Sequence, residues 1–267
     1  TFRSPFLSGS RVEVGWPTPQ GTFVQKDKFS PHGISNASSD GLFTTASWTY
    51  EGIYSFGNLV QDTPPTQSLV RMYVSGTHAS TSKGACILNV VACGTGSGVY
   101  ESGSVNLFVR SGISDTASTL ELKINGANVF DGDKWHLAVG RDIGTSTGSY
   151  ASASYFLRVG KQSGGNISEY HTTQSYFEAA VPAQDVFSTI SDSYNSSGSY
   201  FVVGSSSFYG TSGNKFLDST SKVTNALARI GKTAGLVAQV RFWTLALNHE
   251  ETQEHIRNFE SLGVKDP

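Results

Sequence analysis

The stretch Thr233–Gly263, TAGLVAQVRFWTLALNHEETQEHIRNFESLG, decides how the rest of the chain is read. Leu236, Ala238, Val240 and Phe242 fall on one face and Gln239, Arg241 and Trp243 on the other. This is the period-two pattern of a strand with one side toward a core. Asn248 stands where an N-cap belongs, and Glu251 three residues later completes a capping box. Thr252, Ile256, Phe259 and Leu262 then share one helical stripe. Gly263 offers a C′ residue free to take positive φ. The stretch predicts a buried strand that hands over to the one convincing helix of the sequence.

Outward from it, the chain reads as a succession of short strands. Leu42–Thr45, Trp48–Phe56, Ser68–Ser75, Ala85–Ala92 and Val105–Arg110 come first. Ala85–Ala92 is almost continuously apolar, as a central strand buried on both faces requires. Leu120, Leu122 and Ile124 alternate with Glu121 and Lys123 up to the turn signal Asn125–Gly126. Trp135, Leu137 and Val139 form the next alternation, followed by strands at Ser154–Gly160, Ile167–Thr172 and Tyr200–Gly204. Gln162-Ser163-Gly164-Gly165 reads as a turn, and the regions from about 181 to 199 and from 205 to 234 read as polar loops. No helical pattern lies between successive strands, which excludes a doubly wound α/β sheet. The prediction is an all-β antiparallel sandwich with a short C-terminal helix.

The composition agrees. Of 267 residues, only 15% are charged and 12% are aromatic, with 29 Gly filling tight turns. Ordinary soluble domains carry roughly 25% charge, and this aromatic content is too high for a disordered chain. A net charge of −2, without a cluster of Lys and Arg, argues against nucleic acid as the partner. No apolar run approaches the ~18 residues of a membrane span. Cys86 and Cys93 are an odd number of positions apart on one strand. They point to opposite faces and read as free thiols.

Residues 1–40 differ from the rest. Pro5, Pro17, Pro19 and Pro31 interrupt regular patterning, and only Arg11–Val14 reads as a strand. Phe6, Trp16, Phe23 and Phe29 argue for an extended arm pinned against this domain or a neighbouring subunit. The domain reading is therefore an arm at 1–40, a sandwich at 41–263 and a tail or linker at 264–267. A first residue other than Met and the abrupt end at Asp266–Pro267 are read as marks of a processed or longer polypeptide.

Two segments carry a family resemblance. Asp131-Gly-Asp-Lys-Trp135-His136-Leu-Ala-Val139 resembles the central strand of laminin G-like domains. Gly235-Leu-Val-Ala-Gln-Val-Arg-Phe-Trp243, followed by Leu-Ala-Leu-Asn-His-Glu-Glu, is similar to that family's last strand and acidic helix start. The resemblance covers roughly residues 40–260. It implies the jelly roll of the concanavalin A-like lectin-glucanase superfamily. It also implies a calcium ion at the sandwich rim, with Asp131 and Asp133 as ligands. An Asp–Gly turn accounts for the same two residues without a metal, and no other cofactor is expected.

Catalysis finds no support in the motifs. A retaining glycosidase needs two carboxylates about 5–5.5 Å apart on one face, and no Glu-x-Asp-x-x-Glu run is present. Glu250, Glu251 and Glu254 read as a solvated face at a helix N-terminus, and Glu13, Glu51, Glu101, Glu121, Glu169 and Glu178 are scattered. Zinc spacing is absent too. His249 and His255, six apart on the helix, face different ways, and His136 reads as a structural residue beside a core Trp.

A glycan site needs exposed aromatics to stack on sugar faces, with amides and carboxylates for the hydroxyls. Tyr194, Asn195, Tyr209, Asn214 and Asp218 are of those types; aromatics pinning long loops onto the sandwich explain them as well. Asn36, Asn166 and Asn195 each match the N-glycosylation acceptor pattern.

The expected function is a non-catalytic structural or interaction module of an extracellular, cell-surface or virion-surface assembly. Its expected partners are other protein subunits, engaged through the arm 1–40. The alternative is a carbohydrate- or glycoprotein-binding adhesion module, with a glycoside hydrolase as a remote third.

Overall fold

The computed structural model describes residues 2–8, 11–14, 47–60, 66–77, 85–110, 119–142, 154–176, 195–204, 234–243 and 245–261. Among these lie the strands β1 (Phe2–Ser8), β2 (Arg11–Val14), β3 (Trp48–Ser55), β4 (Thr66–Thr77), β5 (Ala85–Thr95) and β6 (Ser102–Arg110). They continue with β7 (Thr119–Asn125), β8 (Trp135–Asp142), β9 (Ser154–Ser163), β10 (Asn166–Tyr176), β11 (Asn195–Gly204) and β12 (Ala234–Trp243). The helix α1 (His249–Arg257) follows. Two six-stranded sheets result, in the orders β1-β12-β3-β8-β9-β10 and β2-β11-β4-β5-β6-β7. All pairings are antiparallel. The chain crosses between the sheets repeatedly, which makes the fold an antiparallel jelly-roll β-sandwich with a short C-terminal helix.

Alternation fills the space between the sheets. Trp48, Tyr50 and Tyr54 of β3, Trp135, Leu137 and Val139 of β8, and Leu157 and Val159 of β9 lie on one side. They join Leu88, Val90 and Ala92 of β5 and Val105, Leu107 and Val109 of β6 in a single core. The hydroxyls of Tyr50 and Tyr54 are 2.8 Å apart, and Tyr54 donates to the Leu69 carbonyl at 3.0 Å. Burial pushes both phenols well above their usual pKa. Strand β5 is buried on both faces, with Asn89 and Val91 as inaccessible as Leu88 and Val90. Its Cys93 is a free thiol.

The arm opens with two strands. Phe2–Ser8 pairs with β12 and Arg11–Val14 with β11, each at the edge of its sheet. Pro5 breaks pairing in a central strand but is tolerated at an edge, which is why sequence patterning missed β1. Residues 15–46, including the expected strand Leu42–Thr45, lie outside the described residues, as does the expected excursion at 205–233. Strand β11 begins at Asn195, five residues before the predicted strand at Tyr200, so the end of that predicted loop is strand.

The deciding stretch folds as strand and helix, with two corrections. The predicted alternation along β12 is broken by a bulge: Ala238 pairs with Ile53 and Arg241 with Glu51, one extra residue on β12. Gln239 takes φ +53 there, the one positive φ outside glycine among the described residues. Val237 therefore faces the core before the bulge and Val240 and Phe242 after it, while Leu236 is 45% exposed. The helix also ends sooner than its stripe predicts. Asn258 is the C-cap, extended at φ −128, so Phe259 falls in the turn beyond, half-buried, and Gly263 is not the C′ residue.

Candidate functional site

The outer face of the first sheet is polar and yet buried. Thr49 and Glu51 of β3, His136 of β8 and Arg158 of β9 all point away from the sandwich core and are almost inaccessible. Residues 245–248 and α1 cover them. Thr49 Oγ1 donates to the Leu245 carbonyl at 2.8 Å and accepts from the Leu247 amide at 2.9 Å. Arg158 Nη1 donates to the Leu247 and Asn248 carbonyls at 2.5 and 3.0 Å and to Thr252 Oγ1 at 2.9 Å. One guanidinium thus ties strand β9 to the two carbonyls and the hydroxyl at the helix entry. The predicted capping box is formed: Asn248 Oδ1 accepts from the Glu251 amide at 2.9 Å, and Glu251 Oε2 from the Asn248 amide at 2.8 Å.

Close contact between helix and sheet depends on a glycine. A Cβ on Gly160 of β9 would lie 2.7 Å from Ile256 Cδ1 and 2.9 Å from the Glu169 carbonyl oxygen. With no side chain there, Ile256 packs directly on the sheet and is fully buried. At the other end of the helix cover, Arg241 donates from Nη1 to the Ser261 carbonyl at 2.6 Å and from Nη2 to the Phe259 carbonyl.

Beneath this cover, Glu51, His136 and His255 converge. Glu51 Oε1 lies 3.0 Å from His136 Nε2 and 2.9 Å from His255 Nδ1. Glu51 Oε2 accepts from the Trp243 indole N–H at 2.6 Å. The Trp243 ring stacks on His255, with centroids 5.3 Å apart and planes inclined 19°. Exposure is 1% for Glu51, 3% for His136 and 0% for His255. Burial pushes the Glu51 carboxyl upward, but the charge and hydrogen bonds of the two imidazoles outweigh it and hold Glu51 well below the usual carboxylate range. The trio offers one carboxylate oxygen and two imidazole nitrogens within 4.8 Å of one another, a set able to share protons or hold a metal ion.

Sequence spacing pointed away from this cluster. His249 and His255 do face different ways: His249 meets Tyr170 Oη at 2.8 Å, whereas His255 turns onto Glu51. The partner of His255 is His136, from a strand far away in sequence. The signal that could have found it was parity. Glu51 and His136 sit at the non-core positions of strands whose other face is mostly aromatic and aliphatic, and His255 lies one position before Ile256 on the buried helix face.

Asp131 and Asp133 come together at the rim, as the turn predicts, but around a lysine. Lys161 Nζ lies 2.7 Å from Asp131 Oδ2, 3.0 Å from Asp133 Oδ2 and 3.0 Å from Glu169 Oε1. Asp131 Oδ1 accepts from the Asp133 amide at 2.9 Å and from Trp135 Nε1 at 3.0 Å. Partial desolvation lowers the Lys161 pKa, but hydrogen bonds to Asp131, Glu169 and Asp133 outweigh it and hold the ammonium charged above its usual range. The residues do not fit a calcium ion here, because the ammonium occupies the point between the carboxylates. Of the residues proposed for glycans, Asn195 opens β11, opposite Thr77. Tyr194, Tyr209, Asn214 and Asp218 lie outside the described residues.

No protein-family model matches the sequence, and no curated protein matches it at a significant level. Solved structures of similar shape include the botulinum neurotoxin serotype D binding domain. It matches at a TM-score of 0.42 and 5% identity, covering 93% of this chain and 40% of that one. This chain therefore spans well under half of that domain's length. Alginate lyase PA1167 from Pseudomonas aeruginosa matches at a TM-score of 0.37 and 10% identity, over 79% of this chain and 69% of that one. The exolytic PL7 alginate lyase AlyA5 from Zobellia galactanivorans matches at 0.33 and 7%, over 76% and 75%.

Proposed function

We propose that this chain is a non-catalytic structural or interaction module of an extracellular or virion-surface assembly, such as a tail, fibre, capsid or filament component. One observation carries the reading. The converged Glu51–His136–His255 cluster is sealed under α1, with no member more than 3% exposed. A general acid or base must come within hydrogen-bond reach of its substrate, and these three are turned onto one another and Trp243 beneath the helix. Their arrangement fixes a helix on a sheet, which is the work of a scaffold. The module acts through its surface and through the arm 1–40, which engages neighbouring subunits.

Cross-linking mass spectrometry on the native full-length assembly tests this. Amine cross-links from Lys26 and Lys28 to a neighbouring subunit are the expected result. Cross-links confined to the same chain, together with saturable binding on a glycan array, would replace this reading with the carbohydrate-binding one.

A further inference from the structure

The cluster under α1 has the composition and spacing of a metal site. Two imidazoles and one carboxylate are a ligand set that zinc-class ions use, each ligand at about 2.0–2.1 Å. Tetrahedral geometry at that radius places ligand atoms about 3.3 Å apart. Glu51 Oε1 already lies 3.0 Å from His136 Nε2 and 2.9 Å from His255 Nδ1. These two separations need to open by only a few tenths of an ångström to admit an ion, and all three donors lie within 4.8 Å of one another.

His136 supplies the second observation. It is 3% exposed, its Nε2 lies 3.0 Å from the shared carboxylate, and its Nδ1 has no hydrogen-bond partner among the described residues. An ion on Nε2 leaves Nδ1 as the protonated ring nitrogen and so fixes the tautomer of His136. The carboxylate is already oriented for the task. Trp243 holds Oε2 at 2.6 Å, and Oε1 faces both imidazoles while His255 Nδ1 also lies 3.0 Å from Oε2; such outer hydrogen bonds typically fix ligand geometry.

We propose that Glu51 Oε1, His136 Nε2 and His255 Nδ1 bind one transition-metal ion of the zinc class. The ion ties α1 to strands β3 and β8. Two nitrogen donors select against calcium and magnesium, which take oxygen ligands. Binding requires both imidazoles to be neutral at the metal-facing nitrogen, so uptake releases protons and weakens at acid pH.

The test uses the full chain, stripped with chelator and titrated with Zn²⁺ and with Co²⁺. The expected results are one metal per chain by elemental analysis, the visible absorption of protein-bound cobalt, and a melting temperature raised by Zn²⁺. Both His136→Gln and His255→Gln should abolish these signals, while His171→Gln and His249→Gln, at the surface, should leave them intact. Should the core variants fail to fold, ¹⁵N-imidazole spectra of the native chain decide instead: Zn²⁺ must shift the ring nitrogens of His136 and His255. Metal that survives His136→Gln and His255→Gln, or no uptake and no shift of either ring, overturns the proposal and leaves the trio a hydrogen-bonded core.

Discussion

Trp243 donates its indole N–H to Glu51 Oε2 across 2.6 Å, although the two residues are 192 positions apart. This bond runs from the last strand to the first central one, on the face of the sheet that α1 covers. The carboxylate it orients is the one that both His136 and His255 approach, so one buried charge organises β3, β8, β12 and the helix together.

Removing that charge should be costly. Breaking a buried ionic arrangement by deleting one partner costs about 3–5 kcal/mol, so Glu51→Ala should lower the melting temperature by several degrees or more. Glu51→Gln keeps the shape and an acceptor for Trp243 and should cost less. The pH dependence has a fixed sign. Glu51 is held below its ordinary value of 4.5, so the unfolded chain binds the extra proton first as pH falls. Its stabilisation is complete above pH 4.5 and fades below it toward the folded value. Denaturant unfolding across that range should show a steep acid loss in the native chain and a shallower one in Glu51→Gln. Equal slopes would refute the coupling.

Arg158 should control the helix and little else. Its Nη1 serves two carbonyls and the Thr252 hydroxyl at the start of α1. Hydrogen bonds to a charged donor contribute about 1.5–3 kcal/mol each at most. Arg158→Met should therefore speed amide hydrogen exchange along α1 by ten-fold or more, with β5 and β6 unchanged. A uniform change over the molecule would show that the helix is not a separate unit of stability.

What could be read from the sequence was whatever depends on neighbours along the chain. The alternations at Trp135–Val139 and Leu120–Ile124, the Gly164–Gly165 turn and the Asn248–Glu251 capping box are local, and each is found as predicted. Legibility failed where one residue changes a long-range register. The bulge at Gln239 moves Val237 into the core and Leu236 out of it, and no local pattern marks it. The Glu51–His136–His255 convergence failed for the same reason: three elements contribute one residue each, and only the pairing of β3 with β8 and the docking of α1 over them bring the residues together. Asp131 and Asp133 were legible as a pair, but Lys161 on the neighbouring strand was not.

The rim lysine can be exchanged for a metal. Asp131, Asp133 and Glu169 surround Lys161 Nζ at 2.7–3.0 Å. With the ammonium gone, the three carboxylates repel one another and offer the oxygen ligands that calcium prefers. Lys161→Met should be less stable than the native chain in chelator and should recover in millimolar CaCl₂. The native melting temperature should not respond to CaCl₂. A variant insensitive to calcium would show that the carboxylates relax apart into solvent instead.

Gln239 offers the sharpest test of the bulge. It holds φ +53 between two strands that both register the extra residue, β1 shifting between Phe2 and Ser4 and β3 between Ala238 and Arg241 of its partner. A left-handed conformation costs an ordinary L-residue roughly 1–2 kcal/mol, and glycine avoids that cost. Against this, glycine adds unfolded-state entropy and loses the 3.3 Å contact from Arg241 Nη2 to Gln239 Oε1, which is long and weak. Gln239→Gly should therefore be between neutral and about 1 kcal/mol more stable by denaturant unfolding. Gln239→Val, branched at Cβ, should fall about 1–2 kcal/mol below the glycine variant. If valine were as stable as glycine, the bulge would have moved, and Leu236 rather than Val237 would be the buried residue.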